Sequence, residues 1–169
     1  MSKRDPKRIV SFDSMVLIWG IRRKGPDEMI GYARNLFREL EEAEAQIVIP
    51  SIVVAEFVTP LRSQAERSRV IAALCERFLI VPFDARDAAL AAELWNHGRK
   101  DREMRKPSAR VCLRADSMIV ASAYGHGATE FYSEDDSCRR IAKKIMTAKK
   151  LPRVAPSLFP DDGPDVRPA

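Results

Sequence analysis

Two hydrophobic periods alternate along the chain: short runs with strand character and longer stretches in which apolar residues recur every three or four positions. Arg8 to Phe12 is the first strand by this reading, with Ile9, Val10 and Phe12 as strong strand formers. Asp13-Ser14 stops it and caps a helix from Met15 to about Arg22, and Gly25-Pro26-Asp27 turns the chain with Asp27 as the next N-cap. Met29, Ala33, Leu36 and Leu40 then mark one face of a helix ending near Ala45, with Glu39, Glu41, Glu42 and Glu44 on its solvated side. Gln46 to Ile49 is a second strand, apolar enough to be buried on both faces, and Pro50-Ser51 opens a helix running through Glu56.

Beyond Pro60, Ser63-Gln-Ala-Glu66 is a capping box for a helix with Val70, Ile71 and Leu74 inside. Phe78 to Pro82 is a third strand, and Asp84 begins a helix whose inner face is Ala88, Ala91, Ala92 and Trp95. Asp116 to Tyr124 is a helix with Met118, Ile119, Ser122 and Ala123 on its packed face, closed by Gly125 and Gly127. Glu130 to Ser133 is a fourth strand, Asp136 to about Ala148 a last helix with Ile141 and Ile145 inward, and Arg153 to Ala155 a candidate edge strand. Trp19 and Trp95 lie on apolar helical faces and belong to the core. Strands alternating with helices give an α/β fold with a mostly parallel sheet covered on both faces. One domain over residues 1–159 is expected, followed by a loose tail, 160–169, rich in Pro, Asp and Gly.

Composition narrows the classes. At 169 residues one buried core is the expectation, and with 7% aromatic residues its burial falls to alanine and leucine, which suits helices packed on a sheet. A net charge of +5 and a pI of about 9.3 suit a polyanionic partner without demanding one. Cys75, Cys112 and Cys138 show no paired spacing, so neither a disulfide framework nor a zinc set is indicated; each is expected to be a small buried apolar residue in a reducing cytosol. No apolar run reaches the ~20 residues of a membrane span. The basic-then-apolar start is broken by Asp13 and followed by Arg22-Arg23-Lys24, not a cleavage site, so a soluble cytoplasmic protein is expected. His97 and His126 have no nucleophile context, and Gly125-His-Gly127 is not a phosphate-cradling loop.

The acids carry the chemistry. In open parallel sheets, sites form beyond the carboxyl ends of the strands. Asp13 follows the first strand, Asp135 follows the fourth, Glu56 lies two helical turns past the second, and Asp116 opens the helix feeding the fourth. Each also has a plainer reading: Asp13 and Asp116 as N-caps, Glu56 as a solvent-facing residue, Asp135 or Asp136 as the cap of the last helix. With 24 acidic residues in the chain, a single acid decides nothing and the set of four decides much. Clustered carboxylates repel and take up protons unless a cation intervenes. Oxygen-only ligation points to Mg²⁺ or Mn²⁺, and such an ion suits phosphodiester hydrolysis by metal-activated water.

Four stretches then resemble a known family: Val10-Ser-Phe-Asp13-Ser-Met-Val-Leu-Ile18, Pro50-Ser-Ile-Val-Val-Ala-Glu56-Phe57, Arg114-Ala-Asp116-Ser-Met-Ile-Val-Ala-Ser-Ala123 and Tyr132-Ser-Glu-Asp135. They are similar to the motifs of PIN-domain ribonucleases, above all the toxin subunits of VapBC-type toxin–antitoxin pairs, in order and spacing from about Ile9 to Ala155. The resemblance implies a three-layer α/β/α sandwich around a mostly parallel four- to five-stranded sheet. It implies an endoribonuclease that holds Mg²⁺ or Mn²⁺ on Asp13, Glu56, Asp116 and Asp135, with Ser14 and Ser133 as supporting hydroxyls. It also implies an RNA substrate, a small antitoxin partner and a homodimer. The aromatic residue that often closes the fourth motif is replaced near Cys138, which leaves Asp135 and Asp136 as alternatives. The basic stretch from Gly98 to Arg114 is either a solvated surface or a rim holding RNA phosphates through Arg102, Arg105, Lys106 and Arg110. Two other functions stay open: a non-catalytic nucleic-acid-binding module on the same fold, and a housekeeping RNA-processing nuclease without an antitoxin.

Overall fold

A computed structural model describes residues 8–98 and 107–153. Five short strands form the centre: β1 (Ile9–Phe12), β2 (Gln46–Pro50), β3 (Leu79–Val81), β4 (Glu130–Tyr132) and β5 (Thr147–Lys149). They lie in the order β3-β2-β1-β4-β5, and every pairing is parallel. The helices are α1 (Ser14–Leu17), continued by a π-helical turn Ile18–Arg22, then α2 (Asp27–Glu42), α3 (Ser51–Val58), α4 (Gln64–Arg77), α5 (Ala85–Gly98), α6 (Pro107–Gly125) and α7 (Asp136–Ala142). Together they make the expected α/β/α sandwich.

Packing follows from the strand period. Val10 and Phe12 point to one face, where the Phe12 ring meets Phe37 of α2 at 5.2 Å between centroids, and Phe37 meets Phe78 at 6.1 Å. Ala33, Leu36 and Leu40 are the buried stripe of α2, as the helical spacing predicts. On the other side α6 packs against α5 and α7, burying Leu113, Ile119, Val120 and Ala123. Chain connections leave β1 toward β2 on one side, whereas β4 and β5 extend the sheet on the other. That reversal places a crevice at the carboxyl ends of β1 and β4, where ligands collect in sheets of this kind.

Several expectations shift. The helix holding Asp116 starts at Pro107, so Asp116 is an interior helical residue and caps nothing; proline at a first helical position is favoured because its missing N–H is not needed there. Asp27 is the first residue of α2, with Pro26 at the cap. On α5 the buried residues are Asp87, Ala91, Leu94 and Gly98, and Ala88 and Ala92 are exposed, because Asp87 turns inward to the helix start and Gly98 lets Leu113 approach. Ile71 faces solvent, and Leu74 is the buried residue of α4. The last helix ends at Ala142, and Thr147–Lys149 pairs with β4 as the edge strand; Arg153 is not in a strand. Cys75 and Cys112 are exposed, and only Cys138 is buried. Among the described residues no helix is long and apolar enough to cross a membrane. Residues 160–169 lie outside those described.

Candidate metal centre

Asp13 follows directly on β1 and serves two ends. Its Oδ1 accepts the Val16 backbone N–H at 3.0 Å, capping α1. Its Oδ2 accepts the Ser133 hydroxyl from the end of β4, and its own N–H bonds to the Tyr132 carbonyl at 3.2 Å. Asp13 is therefore the cap of α1 and is tied at the same time to the end of β4. The Ser133 hydroxyl also accepts the Asp135 N–H at 3.0 Å. Asp135 in turn caps α7, one oxygen accepting from Ser137 N at 2.7 Å and Cys138 N at 2.9 Å. Ser14 opens α1 beside Asp13.

Asp116 lies in the middle of α6, within the field of Asp135, Asp13 and Glu56. Burial pushes Asp116 up to about 7, helped by the charges of Asp135, Asp13 and Glu56. Burial likewise raises Asp13 to about 6 against the lowering effect of Ser133 and Val16, with Asp135 and Glu56 adding to the rise. Asp13 and Asp116 thus each lie in the field of Asp135 and Glu56. Glu56 projects from α3, half-buried, and takes part in no hydrogen bond or ion pair among the described residues. Asp136 is not in that set: it points outward to a buried Arg139, with which it makes a close ion pair. Arg139 also donates to the Ser133 carbonyl at 2.7 Å and so holds the turn that carries Ser133 and Asp135.

The donor set fits a hard dication: carboxylates alone, two of them with proton affinities raised by burial and mutual repulsion, a conflict that a +2 charge removes. A second group demands comparison. Asp84, Asp87 and His126 bring one ligand atom each within 4.8 Å of the others, the only such trio among the described residues. Its atoms are largely engaged already. Asp84 accepts Arg86 N at 2.8 Å and Asp87 N at 3.0 Å, while Asp87 accepts Asp84 N at 3.1 Å. These bonds cap α5 reciprocally and hold the exposed Asp84 carboxyl below its ordinary range. His126 Nδ1 lies 2.9 Å from the Ser122 carbonyl and 3.9 Å from Asp87, tying the end of α6 to the start of α5. Sequence patterning passes over this trio because its members are scattered, and passes over Cys138 and Arg139 because neither residue type suggests hydrolysis. Their one signal is position, three and four residues after Asp135 on a short helix. Arg102, Arg105 and Lys106 lie outside the described residues; Arg110 falls in α6, its side chain also outside them.

The model of the PIN domain matches residues 11–144, most of the chain. The chain belongs to the PIN domain family. No curated protein sequence matches it significantly. Among solved structures it is similar in fold to VapBC2 from Rickettsia felis bound to a DNA fragment from its promoter, with 18% identity and a TM-score of 0.59 over 84% of this chain and 98% of that one. DNA-bound VapBC from Salmonella typhimurium gives 16% identity and 0.60 over 86% and 99%. FitAcB from Neisseria gonorrhoeae gives 20% and 0.52 over 82% and 95%. Membership covers the span from β1 to the end of α7, the span that carries all four acids.

Proposed function

We propose that this PIN domain is a Mg²⁺- or Mn²⁺-dependent endoribonuclease and the toxin of a VapBC-type pair, restrained by a small antitoxin. The observation that supports the nuclease reading is the burial of Asp13 and Asp116 in the field of Asp135 and Glu56, which pushes them up to about 6 and about 7. PIN domains are generally nucleases, and the likeness in fold to chains of VapBC and FitAcB supports the pairing with an antitoxin.

In this reading Asp13, Glu56, Asp116 and Asp135 hold the ion. Bound there, a hard dication supplies charge neutralisation at the scissile phosphate and lowers the pKa of an attacking water. The protein's own contribution is orientation. Ser133 and the Val16 N–H lock both oxygens of Asp13, and the start of α7 fixes one oxygen of Asp135, leaving the other for the ion. Glu56, without partners of its own among the described residues, is free to ligate or to accept a proton from water.

The test is cleavage of single-stranded RNA by purified protein with Mg²⁺, Mn²⁺ or EDTA. Cleavage is expected with either ion and not with EDTA, and Asp13→Asn or Asp116→Asn is expected to lower the rate by at least about 10²-fold. RNA binding without cleavage, with the ion bound, would instead mark a binding module. Expression alone is expected to arrest growth; normal growth with active enzyme present would mark a housekeeping nuclease.

A further inference from the structure

Glu134 stands between Ser133 and Asp135 in the turn after β4, and both of its carboxylate oxygens are engaged. Oε1 accepts the Leu151 N–H at 2.9 Å, and Oε2 accepts Arg153 Nη2 at 2.7 Å. Leu151 is buried, and both partners lie just past β5. The Arg153 guanidinium sits over the Tyr32 ring, 4.9 Å from its centroid, and reaches Met29 Sδ at 3.8 Å. Tyr32 and Met29 belong to the first half of α2, where the Tyr32 hydroxyl donates to Glu28. The backbone beside Glu134 is tied as well: the Ser133 N–H bonds to the Lys149 carbonyl at 3.1 Å, and the Asp135 N–H to the Ser133 hydroxyl at 3.0 Å. Glu134 thus fastens this turn to the segment after β5 and, through Arg153, to α2. Neither of those elements carries one of the four acids.

We infer that Glu134 and Arg153 are positioning residues of the acid cluster, their ion pair holding the turn where the Ser133 hydroxyl meets Asp13 and Asp135 reaches the ion. The inference rests on the dication reading above and adds to it two residues outside the four acids. Glu134 is not itself a ligand, because the Leu151 N–H and Arg153 already take its two oxygens. Groups that orient metal ligands are a recurrent support of metal sites, and their loss typically costs about 10–100-fold in affinity. Here the support acts through the backbone of the turn, so the effect belongs at the low end of that range. Two other roles predict different results. A strut that only anchors the chain after β5 would add stability and leave ion affinity alone. A pure charge effect has the opposite sign at Arg153, since removing a cation near the acids favours a bound dication.

The experiment is Mn²⁺ titration of the full chain, following free Mn²⁺ by electron paramagnetic resonance, with thermal melting in EDTA as the check on folding. Wild type is compared with Arg153→Met, Arg153→Lys and Glu134→Asp, and Asp13→Asn is the control for the site itself. Arg153→Met is expected to weaken Mn²⁺ binding about tenfold, and Arg153→Lys, which keeps a cation for Glu134, to stay within about threefold of wild type. Glu134→Asp keeps the charge but is one methylene too short to hold both partners, and it is expected to weaken binding as Arg153→Met does. Affinity of Arg153→Met equal to or tighter than wild type would overturn the inference, as would wild-type affinity in Glu134→Asp. Should one of these two fail to melt cooperatively in EDTA, the other decides by the same threshold. A lower melting temperature in Arg153→Met with Mn²⁺ affinity unchanged would leave the pair a strut and overturn its role at the site alone. Failure of the wild type to bind Mn²⁺ would overturn the metal reading together with it.

Discussion

Asp13 and Asp116 are costly residues for the metal-free protein. Each is ionised at neutral pH only against burial and its neighbours' charges, with values of about 6 and about 7 in place of 3.8. A carboxyl raised on folding binds more protons folded than unfolded across the interval between the two values, so stability falls as pH rises through it. In EDTA, the melting temperature is therefore expected to drop between about pH 4 and pH 7, and Asp116→Asn to melt above wild type at pH 8 and to flatten the drop. Adding Mn²⁺ at pH 8 should raise the wild-type melting temperature and leave Asp116→Asn nearly unmoved. Identical pH profiles for the two proteins would contradict this assignment. Residue by residue, the sequence makes part of the site legible. Asp13, Glu56 and Asp135 are readable because they follow strands closely, whereas the choice between Asp135 and Asp136 needs the fold. Asp135 caps α7 and its charge acts on Asp13 and Asp116, whereas Asp136 pairs with Arg139.

At the scale of elements, the turn after β4 depends on Arg139. Its guanidinium is buried, bonded to the Ser133 carbonyl and paired with Asp136. Arg139→Met removes both and leaves the Ser133 carbonyl without that donor, a loss of about 1–3 kcal/mol in denaturant titration; an unchanged midpoint would show the turn to be held without Arg139. Gly98 belongs to α5, where an added Cβ would lie 2.6 Å from a Leu113 methyl. Gly98→Ala is expected to cost about 1–3 kcal/mol by overpacking, measured the same way, despite the better helix propensity of alanine. Helix α2 is legible from its apolar spacing, α3 from Pro50-Ser51 and α4 from its capping box. The first half of α6 is not, since its charges give the stretch before Asp116 the look of a surface segment and hide the helical start at Pro107. Edge strand β5 escapes for the opposite reason: Thr-Ala-Lys has no hydrophobic signal, and its place depends on pairing with β4 and on Lys149 bonding to Glu130 at 2.9 Å. That glutamate, also gripped by Arg8 at 2.8 Å, is held at about 2.

For the whole molecule, the five-stranded parallel sheet follows from the alternation of strands and helices, and its strand order sets the site, because β1 and β4 become neighbours only through the reversal of direction between them. The proposed nuclease would meet the substrate's phosphates with the basic stretch from Gly98 to Arg114. Arg102→Glu with Arg105→Glu is expected to weaken RNA binding and to make the salt dependence shallower, by about 0.7 in the log–log slope for each phosphate that is no longer neutralised; an unchanged slope would place the RNA elsewhere. The central claim is that one dication sits among four acids drawn from β1, α3, α6 and the turn after β4. Anomalous diffraction at the manganese edge, from crystals soaked in Mn²⁺, tests it most directly. The predicted result is a peak bounded by Asp13, Glu56, Asp116 and Asp135; a peak at Asp84, Asp87 and His126 instead, or none among the four acids, would contradict it.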